Sequence, residues 1–231
     1  MNAGAAPIAV VTGGSRGIGR AIALALADRG MAVALLARSK RELANVRKEI
    51  AVSGGVALAI PCDVSSAPSV TAAAKQVIAE LGVPSLVVNN AGIAKRATVT
   101  EMTERSWDET MAVNLKGTFL VTRAFLPRML KRKHGRFVHV ASISSTLGTA
   151  RMSAYCASKW GVVGFTKALA EELRGTGLET MAVMPGSVDT AMLQGSGFTA
   201  AMTPEDVAGT VVYLGMDAPA AMNGSAVEVF G

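Results

Sequence analysis

Tyr155 and Lys159 stand four residues apart in the stretch YCASK, at the start of a helical pattern, which stacks both side chains on one helix face. A phenol and an ammonium held together can move a proton. A free tyrosine titrates near about 10, so using one at neutral pH means stabilising the phenolate by about 3 units, or about 4 kcal/mol. A fixed ammonium alongside is the kind of neighbour that does this. The same spacing also describes an ordinary helix-surface pair. What adds weight is Ser142, thirteen residues earlier at the end of an apolar run, and Asn114 in MAVNLKG within a long helical pattern.

A second constellation lies near the start, where TGGSRGIG follows the apolar run Ile8–Val11. Glycines at Gly13, Gly17 and Gly19 let a turn close tightly and let backbone N–H groups approach a pyrophosphate at the positive end of the next helix. The spacing is Gly-x-x-x-Gly-x-Gly rather than the commoner Gly-x-Gly-x-x-Gly of dinucleotide folds. Some twenty residues on, an NAD site presents an acid to the ribose diol. Here that place reads LLARSK, with Ala37 in the acid's position and Arg38, Ser39 and Lys40 following. Arg38, joined by Arg16 from the glycine loop, suits a 2′-phosphate through charge-assisted bonds, which points to NADP(H).

The elements that must position these groups follow from the pattern along the chain. Strand-like runs occur at Ile8–Val11, Ala32–Ala37, Val56–Ile60, Leu86–Asn89, Arg136–Ala141, Thr180–Met184 and Ala226–Phe230. Helical patterns fall between them at Ile18–Arg29, Lys40–Val52, Ala67–Leu81, Glu104–Lys133, Ala154–Arg174 and Pro204–Met216. This rhythm predicts a single α/β domain over residues 1–231: a Rossmann-type, doubly wound, seven-stranded parallel sheet with helices on both faces. Ligands in such sheets bind beyond the carboxyl ends of the strands, where the glycine loop, Arg38, Asp63, NNAG (Asn89–Gly92), Ser142 and PGSVDT (Pro185–Thr190) all fall.

Composition agrees and excludes several classes. Half of the 231 residues are apolar and only 4% aromatic, as suits Val, Ile, Leu and Ala strands under Ala-rich helices. The stretches Met1–Ser15 and Ile50–Cys62 are too short or too rich in Gly and Pro to cross a bilayer, and no basic segment follows Met1, so a cytoplasmic location is expected. Cys62 and Cys156 are far apart and lack ligand spacing, so neither a disulfide framework nor a metal site is indicated. The net charge of +6 attracts anions, but no basic stretch is interleaved with aromatics, which argues against nucleic acid.

Taken together in this order, the motifs resemble the short-chain dehydrogenase/reductase family, and the resemblance spans the whole chain, with 3-oxoacyl-carrier-protein reductases similar in the core. It implies catalytic roles for Asn114, Ser142, Tyr155 and Lys159. Tyr155 would exchange a proton with the substrate oxygen, Ser142 would polarise that oxygen, Lys159 would lower the phenol's pKa and hold the nicotinamide ribose, and Asn114 would keep a water in a proton relay. It further implies a cofactor site lined by Gly13, Ser15, Arg16, Gly17, Ile18, Gly19, Arg38, Ser39, Asp63, Val64, Asn89, Ala91, Gly92, Tyr155, Lys159, Pro185, Gly186, Val188 and Thr190.

Two departures from the family pattern stand out. Phe230 occupies the place of a common terminal Asp, which bears on the homodimer or homotetramer that the resemblance implies. Only Ala191–Met202 lies where the family inserts helices over the substrate, a short segment with Gly195 and Gly197 as hinges of a lid. The basic run KRKHGR, Lys131–Arg136, suits either an acidic acyl carrier protein or a helix C-terminus. The expected activity is NADPH-dependent reduction of a ketone, aldehyde or 3-oxoacyl group. The alternatives are an NAD(H)-dependent secondary-alcohol dehydrogenase and a non-catalytic dinucleotide sensor.

Overall fold

The computed structural model describes residues 6–231, so the Met1 region that bears on a leader segment lies outside the described residues. Seven strands form one parallel sheet in the order β3-β2-β1-β4-β5-β6-β7. They are β1 (Ile8–Thr12), β2 (Ala32–Ala37), β3 (Ala57–Pro61), β4 (Leu86–Asn89), β5 (Gly135–Val140), β6 (Leu178–Pro185) and β7 (Ala226–Val229). From β1 the chain winds outward through β2 to β3, then crosses back to β4 beside β1 and winds the other way. The crevice between the ends of β1 and β4 is therefore the switch point at which a doubly wound sheet binds its ligand.

Alternation along the strands divides the core into two layers. Ala9 and Val11 of β1 pack with Ile22 and Leu26 of α1 (Gly17–Asp28), Leu43 and Val46 of α2 (Lys40–Val52), and Val207 and Val211 of α7 (Pro204–Val212). Val10 faces the opposite way, toward Val70 and Val77 of α3 (Ala67–Glu80), Phe125 and Met129 of α5 (Gly117–Arg132), and Leu169 of α6 (Ser153–Glu172). With both sheet faces covered, the strands read as continuous apolar runs rather than half-polar ones.

The strands deviate from the sequence expectation mainly at their ends; β6 is the largest case, three residues longer than the Thr180–Met184 run. The long helical pattern over 104–133 divides more deeply. It forms α4 (Glu104–Met111), a π-helical turn over Ala112–Lys116, and α5. A residue is in excess there, and Asn114 lies inside the turn. Gly117 follows, where a Cβ would come 2.9 Å from Val64 Cγ2, so the helix rides directly on the loop after β3. A second π-helical turn, Tyr213–Asp217, ends the Pro204–Met216 pattern after α7. Among the described residues no helix is long and apolar enough to cross a membrane.

The basic run Lys131–Arg136 closes α5 and enters the amino end of β5, the edge of the sheet opposite the switch point. Lys131 and Arg132 sit in the last turn, where cations offset the helix dipole. Arg136 donates to the carbonyls of Leu214 and Ala218 and pairs with Glu179. The run is used in holding elements together.

His139 of β5 is fully buried beside Phe137 and Phe165. Its Nδ1 lies 3.1 Å from Asn89 Nδ2, which can only donate, so Nε2 carries the proton toward Thr180 Oγ1, also at 3.1 Å. Burial pushes the imidazole down to about 3. Below its unfolded pKa of about 6.5 the unfolded chain takes up a proton that the folded chain refuses, so stability falls as pH drops from there toward 3. Urea unfolding between pH 6.5 and 4.5 should show the native chain losing up to about 1.4 kcal/mol per pH unit more than His139→Asn.

Candidate active site

The glycine loop follows from the shape of its backbone. Gly13 leaves β1 with φ +65°, where a Cβ would sit 2.9 Å from Asn90 Nδ2, and Gly17 opens α1 at φ +52°. At Gly19 any Cβ would collide with the Gly13 carbonyl, so the residue must be glycine for helix and loop to meet. Arg16 precedes α1 in an extended conformation without a capping side-chain hydrogen bond, and the first turn holds no acid. The helix thus presents positive N–H groups beside a loop with glycine at 13, 14, 17 and 19, a cradle that fits the pyrophosphate of a dinucleotide.

Around the cradle, Ser15 Oγ donates to Glu42 at 2.9 Å, and Ser39 caps α2 by accepting from Glu42 N. Ile18, half-buried on α1, packs against the core under the loop. Arg16 and Arg38 are exposed and reach from the ends of adjacent segments. Asp63 accepts from the Ser65 hydroxyl at 2.7 Å and the Ser65 N–H at 2.9 Å, bonds that hold its carboxyl below the usual range, with the charge of Arg38 adding a smaller pull. Val64 beside it is buried under Gly117. The carboxyl ends of β1, β2 and β3 therefore bring these residues to one edge.

Asn89 departs from its expected place. Its side chain is buried, donating to Thr122 of α5 and meeting His139, so that side chain is already engaged away from the crevice. Asn90 does that edge's work instead: its Nδ2 donates to the Thr12 carbonyl at 2.9 Å. The buried Thr12 hydroxyl accepts from the N–H groups of Asn90 at 2.9 Å and Ala91 at 3.0 Å, joining the tips of β1 and β4. The period of 2 in β4, with Val87 toward the α5 layer, carried the signal that Asn89 shares that layer.

Ser142 follows the end of β5, where its hydroxyl accepts from Ser144 N at 3.1 Å, and Tyr155 lies in the first turn of α6; both are withdrawn from solvent. One turn on, the buried Lys159 donates from Nζ to the Val140 carbonyl at 2.7 Å and lies 5.7 Å from the centre of the Tyr155 ring. Burial lowers Lys159 to about 8. Burial pushes the Tyr155 phenol up, while the Ser142 hydroxyl and, more weakly, the charge of Arg96 pull it down.

Asn114 clamps the strand-end loop. Its Oδ1 accepts from Ile93 N at 2.8 Å while its Nδ2 donates to Ile93 O at 2.9 Å and to Ser158 Oγ at 3.0 Å. The relay role expected of this side chain competes with those bonds, and its backbone carbonyl already accepts from Thr118 Oγ1 at 2.8 Å. A Cβ at Gly92 would lie 3.4 Å from Asn114 Oδ1 and 3.6 Å from Lys159 Nζ, so NNAG, Asn114 and Lys159 converge on one point.

The fourth wall comes from β6. Pro185 ends that strand, Gly186 N donates to Val229 O at 2.8 Å, and Val188 pairs with Met202. Thr190 stands opposite the glycine loop, with its Cγ2 3.4 Å from where a Gly17 Cβ would be. Beyond it Gly195 and Gly197 adopt φ of +69° and +81°, and Met192 and Phe198 are exposed. Arg96, which the motifs did not single out, reaches across to donate from Nη2 to the Met192 carbonyl at 3.1 Å.

The family model described as short chain dehydrogenase matches residues 7–199. The chain belongs to the short-chain dehydrogenase family. Its similarity extends to a 3-oxoacyl-[acyl-carrier-protein] reductase of Synechocystis sp., 37% identical across 96% of this chain and 94% of that protein. A D-threitol dehydrogenase of Mycolicibacterium smegmatis is 35% identical across 97% and 91%. Among solved structures, a variant of actinorhodin polyketide ketoreductase with NADPH superposes with a TM-score of 0.93 at 34% identity, covering 98% of this chain and 96% of that one. This family acts as oxidoreductases with a nicotinamide dinucleotide, and the cradle between β1 and β4 fits that group.

If the Asn114 side chain is spent on Ile93, Asn114→Ala should cost about 1–3 kcal/mol of stability and speed hydrogen exchange at the Ile93 amide. A purely water-holding side chain would leave both unchanged.

Proposed function

We propose that this short-chain dehydrogenase reduces a ketone, aldehyde or 3-oxoacyl group to the alcohol with NADPH, Tyr155 acting as the acid. The observation that carries the reading is the grouping of Ser142, Tyr155 and Lys159, all three withdrawn from solvent, with Lys159 one helical turn from Tyr155 and beside Gly92 at the end of β4. Such an arrangement has no use in a sensor, which needs only the cradle.

The nicotinamide, when bound, supplies the hydride for the carbonyl carbon. Ser142 Oγ donates to the carbonyl oxygen and draws electron density toward it. Tyr155 passes its hydroxyl proton to that oxygen as the C–O π pair collects there, which leaves the alcohol. Because burial raises its pKa, Tyr155 is protonated across the neutral range and ready to give the proton. Lys159, poised at about 8, restores it.

NADPH is favoured over NADH because Ala37 leaves the end of β2 without the acid that would repel a 2′-phosphate, while Arg16 and Arg38 flank the place. The relative bound to NADPH supports the same choice. An acyl carrier protein delivering a 3-oxoacyl group would have to meet the carboxyl edge of the sheet, since Lys131–Arg136 lies at the other edge. A homo-oligomer built through the long helices and the final strand is part of the proposal, supported by the exposed rings of Phe119, Trp160 and Phe230.

Tyr155→Phe should lower carbonyl reduction by about 100- to 10,000-fold while NADPH binding, followed by nucleotide fluorescence, changes little. Persistence of turnover in that variant would refute the role. Arg38→Asp should raise the KM for NADPH by about tenfold or more and improve NADH, and an enzyme that already prefers NADH would overturn the cofactor assignment. The rate of reduction should fall as pH rises above about 8, as Lys159 gives up the proton it returns to Tyr155.

A further inference from the structure

Arg96 is a cation built into the reaction site without a carboxylate to balance it. Its loop is braced on both sides: Asn114 holds Ile93, and Ala97 N donates to Arg151 O at 2.9 Å, in the loop leading to Tyr155. The neighbouring charges are matched, Lys95 by Glu109 and Arg151 by Glu101 at 3.7 Å. Among the described residues Arg96 makes no ion pair. Its guanidinium spends Nη2 on the Met192 carbonyl of the covering segment, and its Nε is buried without an acceptor. It is also near enough to Tyr155 for its charge to favour the phenolate.

A buried guanidinium N–H without an acceptor is costly, and a planar carboxylate is the group that satisfies such a fork best. We propose, resting on the reductase reading above, that Arg96 anchors a carboxylate on the substrate, so that the preferred substrates are oxo acids whose carbonyl reaches Ser142 and Tyr155 while the acid lies under Met192. Neutral ketones then lack the contact that orients them. The Met192 tie gives the anchor a further effect, since a carboxylate on Arg96 sits against the segment that covers it.

The test compares acetoacetate and levulinate, two spacings of acid and ketone, with their methyl esters. At least one acid should exceed its ester by about tenfold in kcat/KM. Arg96→Met should cut that acid-to-ester ratio by about 10- to 100-fold, mainly through the KM of the acid, and Arg96→Lys should restore part of it. By calorimetry, 3-hydroxybutyrate should bind the enzyme–NADP+ complex and lose affinity by a similar factor in Arg96→Met. Esters used as well as acids, or one equal loss for both in Arg96→Met, would show that Arg96 serves only Tyr155 or Met192 and would overturn the anchor while the reductase stands. Absence of Tyr155-dependent turnover with any of the four compounds would count against the reductase instead, and the calorimetry alone then decides the anchor.

Discussion

The site depends on one buried hydroxyl. Thr12 Oγ1 accepts two backbone N–H groups, from Asn90 and Ala91, at the point where β1 and β4 part company at their tips. Those N–H groups have left the sheet and would otherwise be orphaned in a site too tight for easy solvation. By holding them, Thr12 sets the distance between the glycine loop and the NNAG loop, and Asn90 repeats the tie through the Thr12 and Gly13 carbonyls. Everything downstream inherits that spacing: Gly92 beside Lys159, Ile93 in the grip of Asn114, and Arg96 against the covering segment.

Within this frame the electrostatics are set by burial more than by pairing. Lys159 and Tyr155 are both withdrawn from solvent, and burial moves each toward its neutral form, the ammonium down and the phenol up. Two groups whose ordinary values almost coincide are thereby driven apart, with the phenol the more firmly protonated of the two. That order of protonation supports the proton-donating role proposed for Tyr155.

Much of this was legible in the order of residues, for identifiable reasons. The strand-helix rhythm reports both sheet faces being covered, and glycine at position 19 reports a contact no side chain survives. Other features were hidden because they arise only from three-dimensional convergence. The face chosen by Asn89 required strand phase rather than motif position. The π-helical turn around Asn114 has no period in the sequence, since one added residue leaves the apolar pattern on each side intact. Arg96 carries no motif; its meaning comes from Met192, almost a hundred residues away along the chain.

The π-helical turn also makes α4 and α5 two helices in angular phase though they share one axis run. One extra residue amounts to about 100° of rotation about that axis. Ahead of the turn the rod buries Thr110, and after it the rod buries Leu120, Val121, Phe125 and Met129 against the sheet. The length of chain between Thr103, which caps α4, and Gly117, which touches Val64, therefore behaves as a gauge. Changing that length by one residue would rotate one half of the rod against the other, so this interval admits substitutions far more readily than it admits insertions or deletions.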